Sequence, residues 1–295
     1  MKCFSTSIAL LLTFCAVSSA SHAQDELSGI EGPYLGQTPP GLTAQVFAPG
    51  IVVTDGWEYG LVFMPGMKEA YFIRQNPDTK KQEFVLLKEK NGAWQKRVVS
   101  PRQGQPVISP DGKTMHLGRR YKERTGDGWS EVKMLEAPFS EFLIMRLSAS
   151  ASGTLYFDTF DKENLSFPVR YARLIGGKHE VPKALSKEIN TGTHMSHPFI
   201  APDESYLIWD AKREGGYGDS DIYISFRGKD GTWGTAINLG DKINTEAWEA
   251  AASVTPDGNY LFFNRTVSPG NADTFPNVDI FWVDAGFIED LRPKP

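Results

Sequence analysis

Cysteine is almost absent from this chain: two occur in 295 residues, Cys3 and Cys15, and both fall in a leader-like N-terminal segment. Residues 1–23 read as a secretory signal, because Lys2 precedes an apolar run over residues 8–17 and a small-x-small site follows at Ser21, His22 and Ala23. A mature chain starting at Gln24 then has no thiol, which excludes disulfide staples and thiol catalysis. Long hydrophobic runs are missing as well. The leader's run is about 10 residues, half of the roughly 20 that a membrane helix needs, and no later stretch is long enough to span. Cys15 lies inside that run after bulky Phe14, so a lipoprotein anchor is not expected.

Basic charge is scarce. There are 31 Lys and Arg against 36 Asp and Glu, a net charge of −5 that becomes more acidic once Lys2 is removed. Phosphate backbones demand a basic footprint, so a nucleic-acid partner is excluded. No Gly-x-Ser-x-Gly elbow, phosphate loop or dinucleotide fingerprint occurs. No long apolar stripe of helical period is seen. These absences lead us to expect a soluble, monomeric protein without cofactor or membrane span, periplasmic or secreted after cleavage near Ala23.

What the chain does have is repetition. Short runs rich in Val, Ile, Tyr and Phe alternate with Gly, Pro, Asp and Asn clusters at about 8 to 12 residue spacing, the all-β pattern. Turns of Pro-Gly or Pro-Asp-Gly type recur at Pro65, Pro110, Ser150, Pro202 and Pro256, each followed by a strand-like run. They lie about 40 to 55 residues apart, the span of one four-stranded propeller blade. A second turn, Gly-x-Trp, precedes Trp94, Trp129 and Trp233, while Gly176 and Gly177 stand in the equivalent place of the third unit without a Trp. We expect these tryptophans to pack between blades.

One phrase is written twice in the same register: Thr54, Trp57, Glu58 and Pro65 match Thr245, Trp248, Glu249 and Pro256. Before the first copy, residues 44–47 look like an outer strand that belongs to no earlier blade, and the last blade lacks its own. The expected architecture is therefore all-β: a propeller of five four-stranded blades, closed by the N-terminal strand, with six blades as the alternative. Closure removes the exposed sheet edge. It also makes the two copies of the phrase neighbours across the seam. The boundaries read as 1–23 signal, 24–43 N-terminal extension and 44–295 propeller, with blade limits least defined over residues 140–190.

The segment from Gly218 through Ser225, then Asp230 to Trp233, Asn238 to Gly240, Ile243 to Thr245 and Thr255 to Phe263, resembles the TolB-like, WD-like propeller repeats of bacterial envelope proteins. The likeness is strongest over residues 193–284. It implies the fold firmly and the function weakly, since such propellers serve as binding platforms, sensor ectodomains and parts of peptidases. With catalytic motifs missing, the leading expectation is a non-catalytic scaffold for a protein, peptide or glycan. The alternative is a carbohydrate-active enzyme, of glycoside hydrolase or lyase type, that uses channel carboxylates.

Candidate ligand-binding residues are Trp57, Glu58, Trp248 and Glu249 from the doubled phrase, His194 and His197 entering the fourth blade, and Arg74 and Arg265 closing second strands. Paired carboxylates in a channel do acid and nucleophile or base work in glycosidases, so an enzyme would use Glu58, Glu249 and Asp210. Repetition itself favours a structural role for the glutamates. Arg74, Arg119 and Arg265 either meet an anionic ligand or pair with those glutamates, and pairing is the simpler reading. His194 and His197 offer two metal ligands in a loop, yet in an extended strand their rings point to opposite faces. Asp219 and Asp221 after a Gly-rich loop present hard oxygens, but the EF-hand pattern is missing, so turn capping is expected there and no metal.

Overall fold

The computed structural model describes residues 25–126, 128–160, 167–270 and 276–294. The signal segment 1–23 lies outside them. Five antiparallel sheets form a ring, a five-bladed β-propeller. Blade 1 runs outward from Glu58–Phe63 through Glu69–Gln75 and Gln82–Lys90 to Ala93–Pro101. Blade 2 has short strands, Val107–Ile108, Thr114–Leu117 and Arg120–Thr125, with both Gly128–Trp129 and Lys133–Met134 paired on the last. Blade 3 comprises Leu147–Ala149, Leu155–Asp158, Val169–Ala172 and Lys183–Ala184, with a small hairpin at Gly176 and Gly177. Blade 4 comprises Thr193–Ile200, Tyr206–Lys212, Asp221–Phe226 and Ile237–Asn238.

Blade 5 has three strands late in the chain, Glu249–Val254, Tyr260–Ser268 and Asn277–Asp284, and takes its outer strand, Gln45–Val46, from the N-terminus. The ring is thus closed as the sequence implies. Phe47, fully buried, wedges against Phe262 and Trp282 at ring centroid distances of 4.9 and 5.1 Å. The segment before it does more than the sequence reading foresaw. Asp25–Glu31 pairs along Ala93–Pro101 as a fifth strand of blade 1. Tyr34 and Leu35 then enter the core shared by blades 1 and 5.

The turn tryptophans pack as expected. Trp129 lies against Tyr71 of blade 1 and donates its indole N–H to the Tyr71 hydroxyl at 2.9 Å. Trp233 stands perpendicular to Tyr156 of blade 3. Trp94 is buried and donates to the Gly32 carbonyl at 2.8 Å.

A second device links blades through their inner strands. In blades 1, 4 and 5 the inner strand breaks register in a β-bulge, and a bulge residue takes a positive φ: Gly60 (68°), His197 (52°) and Ala251 (54°). A bulge frees an N–H from the ladder, and a buried N–H without an acceptor is costly. Each is met by a side chain from the preceding blade. Asp158 accepts from His197 N at 3.0 Å, Asp210 from Ala251 N at 2.9 Å and Asn264 from Gly60 N at 3.0 Å. All three acceptors occupy the same offset after the blade's first turn. At that offset blade 1 has Ile73 and blade 2 has Gly118, where an added Cβ would come within 2.6 Å of the Ile144 carbonyl.

Candidate functional site

The doubled phrase builds the same local structure twice. Thr54 donates its hydroxyl to Glu58 at 2.6 Å and its N–H to the same carboxylate at 3.3 Å. Thr245 does so to Glu249 at 2.6 and 3.0 Å. Each Trp reaches the preceding blade at its third strand, Trp57 bridging to Val278 within that strand and Trp248 to Ser220 just before it. Both glutamates are buried inside these turns. Glu249 is further bonded to Arg265 at 2.8 Å. Arg74, opposite Glu58 in register, bonds Glu83 at 3.2 Å instead. Burial holds the Glu58 carboxyl above its ordinary proton affinity, opposed by the Thr54 bonds and by the charge of Arg74.

The tryptophans of the phrase stay half-exposed. With Tyr59 they form a near-parallel aromatic series: Trp57 stacks on Tyr59 at 5.3 Å, and Tyr59 lies 6.1 Å from Trp248. This series borders a cavity of 640 Å³ in the ring, into which His194, His197 and Asp210 also face. The two bulges in Thr193–Ile200, between Thr193 and Ser196 and again between Ser196 and Phe199, break the simple alternation that would have sent the two histidines apart. His194 is exposed beside Phe167, and His197 is buried.

Behind the aromatic wall lies a hydrogen-bonded chain drawn from several blades. Asp210 faces His197 Nδ1 at 2.9 and 3.0 Å from its two oxygens. An ionised carboxylate only accepts, so Nδ1 carries the proton and Nε2 is left with a lone pair. Tyr59 Oη and the Gln105 amide each approach that Nε2 at 3.2 Å. Asp158, also buried, accepts from Met145 N, Arg146 N and His197 N. Burial raises its proton affinity, against the pull of His197 and these N–H groups. Burial likewise raises that of the Tyr59 hydroxyl, as does the charge of Asp210, while Arg146 and Arg102 lower it.

Sequence reading named His197 and Asp210 and missed Tyr59, Gln105 and Asp158. Asp221 is buried and accepts from Tyr217 N and Gly218 N, and Asn238 donates to it at 2.8 Å, which is turn capping. Asp219 is exposed, near Lys212 at 3.2 Å. Among the described residues, no three His, Asp or Glu side chains group to hold a metal, and no helix is long and apolar enough to cross a membrane.

Fold and cavity together define a five-bladed propeller with a polar chain at the floor of an aromatic-lined cavity. No protein-family model and no curated protein matches the sequence. Among solved structures, the catalytic domain of a GH62 alpha-L-arabinofuranosidase from Coprinopsis cinerea matches at a TM-score of 0.50 and 8% identity, over 83% of this chain and 97% of that one. An alpha-L-arabinofuranosidase from Podospora anserina, solved with cellotriose, matches at 0.48 and 10% identity over 83% and 98%. An endo-arabinase from Bacteroides thetaiotaomicron matches at 0.42 and 14% over 82% and 96%. The expectation of a non-catalytic scaffold is therefore corrected, because the propeller that matches at a TM-score of 0.50 is the catalytic domain of a glycoside hydrolase. At 8% identity the likeness establishes the fold, and the chemistry must be argued from this chain's own side chains.

Proposed function

We propose that this chain is a carbohydrate-active enzyme of glycoside hydrolase or lyase type, exported to the periplasm or beyond as its leader implies, on a propeller of the TolB-like kind. The observation that carries the reading is the Asp210–His197–Tyr59 chain at the floor of the 640 Å³ cavity. Half-exposed Trp57 and Trp248 offer apolar faces to sugar C–H surfaces. The glutamates first considered are occupied as caps within their own turns, so acid–base work falls to another group.

In the resulting mechanism, Asp210 fixes the imidazole tautomer and His197 Nε2 accepts the Tyr59 proton. The imidazolium so formed lies against Asp210 and near Asp158, which offset its charge. Tyr59, at the cavity wall, then acts as base or nucleophile; burial and the charge of Asp210 oppose its anionic form, and Arg146 and Arg102 offset them only in part. General acid–base groups of this type contribute about 10²–10⁴-fold in rate.

The test is turnover of a polysaccharide panel, read as new reducing ends and as unsaturated products. Tyr59→Phe and His197→Gln are each expected to lose at least about 100-fold while retaining the wild-type circular dichroism spectrum. Wild-type rates in either folded variant, or a panel left wholly intact by the wild-type protein, would overturn the reading.

A further inference from the structure

Beside the aromatic cavity lies a second one of 520 Å³, between blades 2 and 3. Arg102, Arg119 and Arg120 converge on it, in a protein whose net charge is −5. None of the three makes an ion pair among the described residues. Each has a single neutral acceptor: Arg102 donates to Gln82 Oε1 at 2.6 Å, Arg119 to the Ser140 carbonyl at 3.0 Å and Arg120 to the Gln103 carbonyl at 3.3 Å. A guanidinium has five N–H donors, so most of theirs remain unused by these bonds. The one acid among the described lining residues is Asp158, which is 3% exposed and already accepts three backbone N–H groups.

Three like charges around one cavity repel each other, and the low-dielectric walls strengthen that repulsion. Elsewhere the same chain pairs its arginines readily, as Arg124 with Glu69 and Arg265 with Glu249. Arg102 is the telling member: it is half-buried, has no acid beside it, stands 5.8 Å over the Trp57 ring, and borders both cavities. We propose that the arginine cavity binds the acidic substituent, carboxylate or sulfate, of an acidic oligosaccharide whose sugar ring lies in the adjoining cavity against Trp57 and Trp248. This rests on the carbohydrate reading and narrows its substrate class to acidic glycans. Planar guanidiniums suit both anions, since paired N–H groups match two oxygens at once.

Calorimetric titration of the full mature chain tests it, with oligogalacturonate, a sulfated oligosaccharide and neutral xylotriose as probes. The acidic probes are expected to bind at least about tenfold more tightly than the neutral one, and more weakly as salt rises. Arg102→Gln and Arg119→Gln should each weaken acidic binding by about tenfold or more, the loss of one charge-assisted contact, while melting close to wild type. The probe that binds tells carboxylate from sulfate. Equal affinity for xylotriose, salt-independent binding, unaltered binding in both arginine variants, or no binding of either acidic probe overturns the proposal. Acidic binding that survives in Tyr59→Phe without turnover by the wild-type protein would retain this site and sink the enzyme reading. Turnover of neutral glycans alone would do the reverse.

Discussion

Glutamine at position 249 should unfold this protein far more readily than glutamine at position 58, although the two sites share one sequence phrase. Glu249 is fully buried and accepts from Thr245 twice and from Arg265 Nε at 2.8 Å. Arg265 in turn lies 4.4 Å over the Phe281 ring and is mostly buried, with 16% of its side chain exposed. Glu249→Gln therefore leaves a mostly buried guanidinium without its counter-charge, which costs about 3 kcal/mol, the low end for a broken buried pair. Glu58 accepts from Thr54 and has no ion-paired arginine, because Arg74 is held by Glu83. Glu58→Gln loses only the charge on one cap, about 1 kcal/mol. In a domain of this size those costs correspond to melting shifts of about 10 °C and about 3 °C. Scanning calorimetry measures both, and a double-mutant cycle with Arg265→Met isolates the pair. Two variants that melt like the wild type and have both lost turnover would refute the structural account and return the glutamates to catalysis.

Removing residues 24 to 50 takes Tyr34, Leu35, Phe47 and Ala48 out of the core; at about 1.5–3 kcal/mol for each large side chain, the loss rivals the stability of a whole domain. The truncated chain should aggregate in light scattering, and a melt like that of the full chain would show that the N-terminal strand does not close the ring. Asp279→Asn should stabilise the protein at pH 8 by about 1 kcal/mol after allowance for residual solvent. Burial, Glu58 and Asp55 raise Asp279 to about 6, so its ionised form opposes folding. The cost of that form is absent below the unfolded value near 4 and complete above 6. Urea titrations at pH 4 and pH 8 read the difference, and a gain that is equal at both would disprove the assignment.

Blade number and closure were legible because each rests on local chemistry. A Pro or Ser turn marks every blade, and the run at residues 44–47 has no partner within its own stretch of chain. The cavity was legible only in part. Tyr59 and His197 meet across 138 positions of sequence, and no periodicity encodes such a contact. The histidine pair misled for a definite reason: alternation puts neighbours on opposite faces, but bulges at His194 and His197 reset it. A signal for those bulges was present and unused. Asp158, Asp210 and Asn264 each follow an aromatic residue at the same offset from a turn, and a buried Asx there implies an N–H across the blade boundary. The strand Asp25–Glu31 gave no such cue, because its short, mostly polar sequence has one β-branched residue, Ile30, no aromatic, and a glycine, Gly29, of the kind that strands disfavour.

The Asx links run one way around the ring, from blade 3 to 4, 4 to 5 and 5 to 1, and the last of them crosses the seam that the N-terminal strand also secures. At the borders of blade 2, Ile73 and Gly118 take the Asx position, so the inner-strand link is missing there, and blade 2 is tied to blade 1 further out instead, by Arg124 with Glu69 and by Trp129 with Tyr71. The propeller is therefore an arc of four blades linked in series through their inner strands, with blade 2 joined by its outer half. Arg102, Arg119 and Arg120 all belong to blade 2 or the segment that leads into it, so the arginine charge of both cavities is carried by the one blade that stands outside that series.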